Sequence, residues 1–159
     1  MDHLDLQVER NKIKPYTYTD DKDFTSYSHN LQSLTHPLGA NLEENLLLVR
    51  YAPSRRWLFD GRVISTAQGE DANGLDYGGN ILLGSTNRVM NYGNYTLQGV
   101  RSDILLVGLD VSYSLYHNVF LDGHLLYRDK VSEDVTRNLK TFYLGVGVRV
   151  NVGQSRYDY

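Results

Sequence analysis

The stretch Ile104–Leu115, ILLVGLDVSYSL, decides the fold class. Leu105, Val107, Leu109, Val111, Tyr113 and Leu115 share one parity, and Gly108, Asp110, Ser112 and Ser114 lie on the other. Successive side chains of an extended chain point to opposite faces, so the alternation predicts a strand with one apolar and one polar face. A short turn around Tyr116, His117 and Asn118 follows, and then VFLDGHLLYR. Here Val119, Leu121, Gly123, Leu125 and Tyr127 oppose Asp122, His124 and Arg128, which predicts the second arm of a hairpin.

Outward from that hairpin the pattern repeats. TFYLGVGVRVNVG sets Phe142, Leu144, Val146, Val148, Val150 and Val152 against Thr141, Tyr143, Gly145, Gly147, Arg149 and Asn151. RWLFDGRVIS sets Trp57, Phe59, Gly61 and Val63 against Asp60 and Arg62, and NLLLVRY sets Leu47, Val49 and Tyr51 against Arg50. LDLQVER, with Leu4, Leu6 and Val8 alternating with Asp5, Gln7 and Glu9, makes a sixth strand. Strands of roughly ten to twelve residues match the length needed to cross a bilayer at a barrel tilt and exceed the usual soluble strand.

The connections alternate in length: long from Lys12 to Asn41, short from Ala52 to Arg55, long from Gln68 to Arg101, short from Tyr116 to Asn118, medium from Asp129 to Leu139. Short turns on one side and long loops on the other are the signature of an antiparallel up-and-down transmembrane β-barrel. With the C-terminus on the periplasmic side, both short turns fall in the periplasm and the longer loops outside. Tyr51, Trp57 and Tyr113 lie on the apolar face near the short turns, and Tyr127 and Phe142 near the opposite ends, as two interfacial girdles would. The expected fold is therefore an all-β transmembrane barrel occupying residues 1–159 as one domain. Six strands are fewer than the eight of the smallest single-chain barrels, so either further strands lie around Gly79 to Gly84 or the chain is a partial barrel, a segment of a larger one. A soluble barrel or sandwich that binds a hydrophobic or sugar ligand satisfies the same periodicity with the apolar parity turned inward.

Composition agrees with a β protein and removes other classes. The 159 residues include 13 Tyr, 14 Gly and 3 Pro, and a formal net charge of −3 offers no basic surface for nucleic acid. The absence of Cys removes disulfides, thiolate metal sites and cysteine nucleophiles. No apolar run is long enough for a spanning helix, and MDHLDLQVER carries no export signal, so an exported protein would be represented here by a mature form or a fragment.

The polar parity collects Asp60, Arg62, Asp110, Asp122, His124, Arg128 and Arg149, which reads as a wet, mixed-charge lumen wall or as a path for a solute or polysaccharide. The long first loop carries Tyr16, Tyr18, Tyr27, His29 and His36, a combination of aromatic faces and polar groups found in sugar-binding surfaces and equally in loops folded onto a barrel rim. Asp110 and Asp122 could serve as an acid and base pair, but nothing in the spacing selects them, and the expectation is a non-enzymatic protein. His29, His36, His117 and His124 lack metal-site spacing, so no metal or other cofactor is expected. His36-Pro37-Leu38-Gly39 reads as a turn that delivers the chain into the strand at Leu47. Asn94-Tyr95-Thr96 matches a glycosylation sequon without a context that gives it meaning, and Gly145 and Gly147 mark close packing or curvature within a strand.

The stretch KPYTYTDDKDFTSYSHNLQSLTHPLGANLEENLLLVRY, Lys14–Tyr51, carries Pro15-Tyr16-Thr17-Tyr18, Tyr27-Ser28-His29 and His36-Pro37-Leu38-Gly39-Ala40-Asn41. In these motifs it resembles the capsule-assembly Wzi-like outer-membrane proteins of Bacteroidetes, including a related gliding-motility outer-membrane protein. The resemblance implies an extended loop leading into a strand late in a barrel, with a few hairpins to follow, so that the chain corresponds to the C-terminal part of a longer protein. It further implies outer-membrane lipid, surface or capsular polysaccharide, missing N-terminal barrel strands and other envelope proteins as partners. The chain departs from the family in lacking a signal peptide and the N-terminal strands. Its alternation stops at Val152 and leaves QSRYDY, whose terminal Tyr159 suits an aromatic-ended barrel-assembly signal.

Overall fold

The computed structural model describes residues 3–20, 26–30, 32–83 and 88–151. Alternating apolar and polar residues produce strands β1 (Leu4–Ile13), β4 (Leu42–Ser54), β5 (Trp57–Glu70), β6 (Val100–Tyr116), β7 (Val119–Ser132) and β8 (Leu139–Val150). A two-residue pair, β2 (Ser28–His29) and β3 (Gln32–Ser33), forms a separate hairpin within the first long loop. The long strands make one antiparallel six-stranded sheet in the order β1-β4-β5-β6-β7-β8, an up-and-down meander. Among the described residues the sheet is open: the outer edges of β1 and β8 have no partner strand.

Two-residue turns at Arg55-Arg56 and His117-Asn118 close the short connections, with Ser54 facing Trp57 and Tyr116 facing Val119. Asn118 has φ +61°, a left-handed conformation that Asn tolerates better than most side chains. The ladder shifts register beside each turn, between Tyr51 and Ser54 and between Ser114 and Tyr116, which sharpens the local twist. At the other end β5, β6 and β7 run further than the hydrophobic alternation reaches, to Glu70, back to Val100 and to Ser132. There Arg101 and Asp103 replace apolar residues on the same parity, so the pattern fades while the backbone ladder continues. The strand expected around Gly79 to Gly84 is absent from residues 79–83; Gly84, Val152 and the QSRYDY tail lie outside the described residues.

Burial falls on the face opposite to that of a soluble β protein. No non-glycine side chain on the apolar parity of the six long strands is buried, and Val146 is 77% exposed. The buried strand side chains, Leu42, Glu44, Thr66, Ser102, Ile104, Asp122 and Ser132, all belong to the polar parity. At the long-loop end that parity is covered by the chain's own connections: Gln68 Nε2 donates to the Leu38 carbonyl at 2.9 Å, and His36 bonds Glu44 at 3.1 Å. Ala40, Leu42, Ile81 and Ile104 are buried as well.

Candidate functional site

The register brings the polar-parity residues into rows. Gly145, His124, Asp110, Asp60, Arg50 and Asp5 face one another in turn across the sheet. Along this row His124 Nδ1 lies 2.7 Å from Asp110 Oδ1, and Arg50 Nε lies 3.6 Å from Asp60 Oδ1. Arg62, from the neighbouring row, reaches Asp110 Oδ2 at 3.7 Å. It does so by lying flat across Gly108, where an added Cβ would meet Arg62 Nε at 2.5 Å. The missing side chain of Gly108 is thus what lets the guanidinium reach along the sheet. Asp5, Arg50, Asp60, Arg62 and Asp110 line a groove of about 470 Å³ together with Gln7 and Leu48.

Closer to the short turns, Arg149 grips Asp122 through Nε at 2.9 Å and through a terminal nitrogen at 3.2 Å, a fork geometry that a lysine could not supply. Ser112 donates to the same carboxylate, and the Arg149 guanidinium stacks 4.3 Å from the Phe120 ring centroid. Asp110 and Asp122 are therefore each engaged by cations. Arg128 shares the face but stands one row nearer the long loops than Leu126, opposite Leu106 and Thr141.

The loop residues gather at the other end. Tyr16 donates its hydroxyl to the Asp76 carbonyl, receives Arg88 over its ring at 4.9 Å, and holds φ +59°. Tyr18 and Tyr27 approach with ring centroids 6.1 Å apart, His29 sits exposed on β2, and His36 is tied to Glu44. A second groove, of about 650 Å³, opens beside them between Gln32, Leu38, Gln68, Glu70, Asp71 and Asn80. From Glu44 to Arg50 along β4 is about 20 Å at roughly 3.3 Å per residue, so the twelve expected ligand contacts divide into a rim group and a wall group.

The rim is organised by a residue that composition and periodicity do not select. Asn41, fully buried and with φ +57°, donates through Nδ2 to the carbonyls of Gly69, Tyr77 and Gln98, and accepts the Leu97 amide on Oδ1. Gln98, also buried, returns a bond to the Tyr77 carbonyl at 2.9 Å. Gly39 (φ +82°) closes the His36-Pro37-Leu38-Gly39 turn, with its amide donating to the His36 carbonyl. Arg50 and Ser112 complete the wall group; their polar parity was the available signal. Burial raises the Asp71 and Asp76 carboxyls above the ordinary aspartate range, although the Tyr77 and Gly79 amides pull Asp71 down and the Gly78 amide pulls Asp76 down. Among the described residues no group of three or more His, Cys, Asp or Glu is arranged to hold a metal.

No protein-family model matches this chain, and neither the curated proteins nor the solved structures contain a match.

Proposed function

We propose that the chain is a wall segment of an outer-membrane β-barrel, the C-terminal part of a larger Wzi-like barrel, and that it binds surface or capsular polysaccharide without catalysing a reaction. One observation carries the reading: the chain folds its long loops onto the polar parity and leaves the apolar parity bare. A soluble barrel or sandwich buries its apolar parity against itself, because apolar area removed from water is the main stabilising term. Here the bare face presents a continuous row of Phe142, Tyr127, Val107, Val63, Leu47 and Val8, and a next row of Leu144, Leu125, Leu109, Gly61, Val49 and Leu6. From Phe142 to Val150 the apolar parity of β8 extends about 27 Å along the strand, which gives roughly 20 Å of height at a 40° tilt. Transmembrane barrels carry an apolar band of about 25 Å.

The open edges of β1 and β8 fit a segment of a barrel. Backbone amides and carbonyls left unpaired in lipid cost several kcal/mol each, so strands contributed by the rest of the barrel, or by other envelope proteins, flank both edges. The polysaccharide meets the rim, through Tyr18, Tyr27 and His29, and the wet wall beneath it, through the Asp60, Arg62, Asp110 and His124 cluster.

Adjacent positions on β8 test the orientation in this Cys-free chain. Val146 lies on the bare face, and Gly147 lies on the wet face where an added Cβ meets nothing within 4 Å. After reconstitution into bilayers, Val146→Cys reacts with a lipid-restricted probe and Gly147→Cys with an aqueous thiol reagent. A chain soluble without detergent, with the Val146 position shielded from both reagents, overturns the proposal and favours the soluble ligand-binding barrel.

A further inference from the structure

The bare face is asymmetric between its two ends. Toward the short turns its residues are Tyr51, Trp57, Tyr113, Leu121, Val148 and Val150, with no charge among the described residues of that parity. Trp57 stacks on Phe59 at 5.5 Å and tilts against Tyr113 at 4.5 Å, an aromatic belt of the kind that sits at a membrane interface. Toward the long loops the same parity turns charged. Lys12 pairs with Glu43 at 2.6 Å and Arg10 approaches Glu43 at 4.0 Å; Arg101 pairs with Asp103 at 3.1 Å, and Lys140 pairs with Asp129 at 3.3 Å. The Tyr127 hydroxyl donates to Asp129 at 3.0 Å, so the last aromatic row is stitched to this belt.

We infer that the charged belt docks phosphate-bearing lipid headgroups of the leaflet on the long-loop side. The inference rests on the membrane reading and adds the chemistry of one leaflet to it. At the two outer strands the cations stand outermost: the side chains of Arg10 and Lys140 are 76% and 67% exposed, against 30% and 28% for Glu43 and Asp129, while Arg101 and Asp103 between them are both exposed, 50% and 59%. The carboxylates thereby hold the cations in place while leaving donors free, since an ammonium has three and a guanidinium five. A phosphate monoester, with its acceptor oxygens and negative charge, is the headgroup that such donors recognise most strongly. The carboxylates offset most of the charge, so selectivity comes from directed donors more than from a net positive field. At the other end Arg55 and Arg56 form the turn between β4 and β5 and provide an internal control.

The test uses the full chain reconstituted with phosphatidylcholine and a minor fraction of phosphatidic acid, with native mass spectrometry reading the lipids retained. Each cation beside anionic headgroups is worth roughly a fivefold preference, which the carboxylates reduce. Replacing Arg10, Lys12, Arg101 and Lys140 together by Gln lowers the retained ratio of phosphatidic acid to phosphatidylcholine at least about fivefold. The pair Arg55→Gln and Arg56→Gln leaves the ratio unchanged. Equal retention by the rim variant and the wild-type chain overturns the inference, as does an equal loss from the turn variant. Lipid labelling at Val146→Cys in the same samples separates the two readings: labelling without headgroup preference overturns the belt alone, and absence of labelling overturns both.

Discussion

Asn41 and Gln98 meet across 57 positions of chain, the Asn41 Nδ2 donating to the Gln98 carbonyl at 2.8 Å, and this contact fastens the two long loops to each other. The same carboxamide holds Gly69 and Tyr77, so one side chain joins the end of β5, the start of β4 and both loops. Asn41→Gly keeps the left-handed backbone but orphans the Leu97 amide, and costs about 1–3 kcal/mol. Asn41→Ala adds backbone strain of roughly 1–2 kcal/mol. Urea titrations followed by the fluorescence of Trp57, the sole tryptophan, check the order wild type, Gly, Ala.

Close approach, more than conformational freedom, requires the glycine at Gly39. A Cβ there would lie 2.4 Å from the Gly79 carbonyl oxygen, a backbone atom that cannot turn aside. At Gly74 (φ +73°), the second residue of the Asn73-Gly74 turn, an added Cβ meets nothing within 4 Å. Gly39→Ala therefore carries an overpacking cost of about 1–3 kcal/mol beyond the strain the two substitutions share. Limited proteolysis of the two variants reads the difference as faster cleavage within residues 32–41 of Gly39→Ala alone.

The strands were legible because a period of two survives any tertiary arrangement, and Ile104–Leu115 announces β6 without help. Which face meets solvent was not legible: Val146 and Arg149 alternate identically in a lumen-facing and a core-facing strand, and periodicity does not say onto which face the loops fold. The wall group could be read because Asp60, Asp110 and His124 share a parity, and the register then set them side by side. The rim could not be read that way. Tyr16, Asn41, Gly69 and Gln98 converge through long loops without periodicity, so their contacts depend on turn geometry at Gly39, Gly78 and Gly99, whose φ angles are all positive.

Acidification strengthens the second loop. Burial raises the folded carboxyls of Asp71 and Asp76 above their unfolded range, so the folded state holds their protons more tightly than the unfolded chain does. Their contribution to stability is greatest at pH values below the unfolded range and is lost as pH rises through the raised folded values. Protection of the Tyr77, Gly78 and Gly79 amides against hydrogen exchange, corrected for the intrinsic rate, increases from neutral into mildly acid pH. Asp76→Asn keeps an acceptor for the Gly78 amide and flattens its share of that dependence; an unchanged slope counts against the assignment.

The Asp122 and Arg149 pair is unequal in burial, the Asp122 side chain being 12% exposed and that of Arg149 48%. Asp122→Ala frees a guanidinium that can turn to water, so the loss is below about 1 kcal/mol. Arg149→Ala leaves a buried carboxylate with Ser112 alone, and costs about 1–3 kcal/mol. Urea midpoints of the two variants, with Arg149→Lys as an intermediate case lacking the fork, measure that asymmetry.

Val146 faces Gly123 on β7, which in turn faces Val111 on β6, and on β8 it stands between Leu144 and Val148, away from both ends of the strand. Arginine on the lipid face at mid-membrane costs about 2–4 kcal/mol and nearly nothing close to an interface. Val146→Arg alone cannot separate membrane from soluble core, since burying a charge is costly in either. The neighbouring Gly147→Arg supplies the contrast, because its side chain enters open space on the wet face beside Asp122. In bilayers Val146→Arg loses about 2–4 kcal/mol while Gly147→Arg loses little. The decisive comparison is Val150→Arg, two rows nearer the short turns: in a bilayer its cost falls well below that of Val146→Arg, because the guanidinium reaches the headgroups. Equal costs at 146 and 150 mean that the face is covered by protein instead of lipid, and would require the chain to be reassigned to the soluble class.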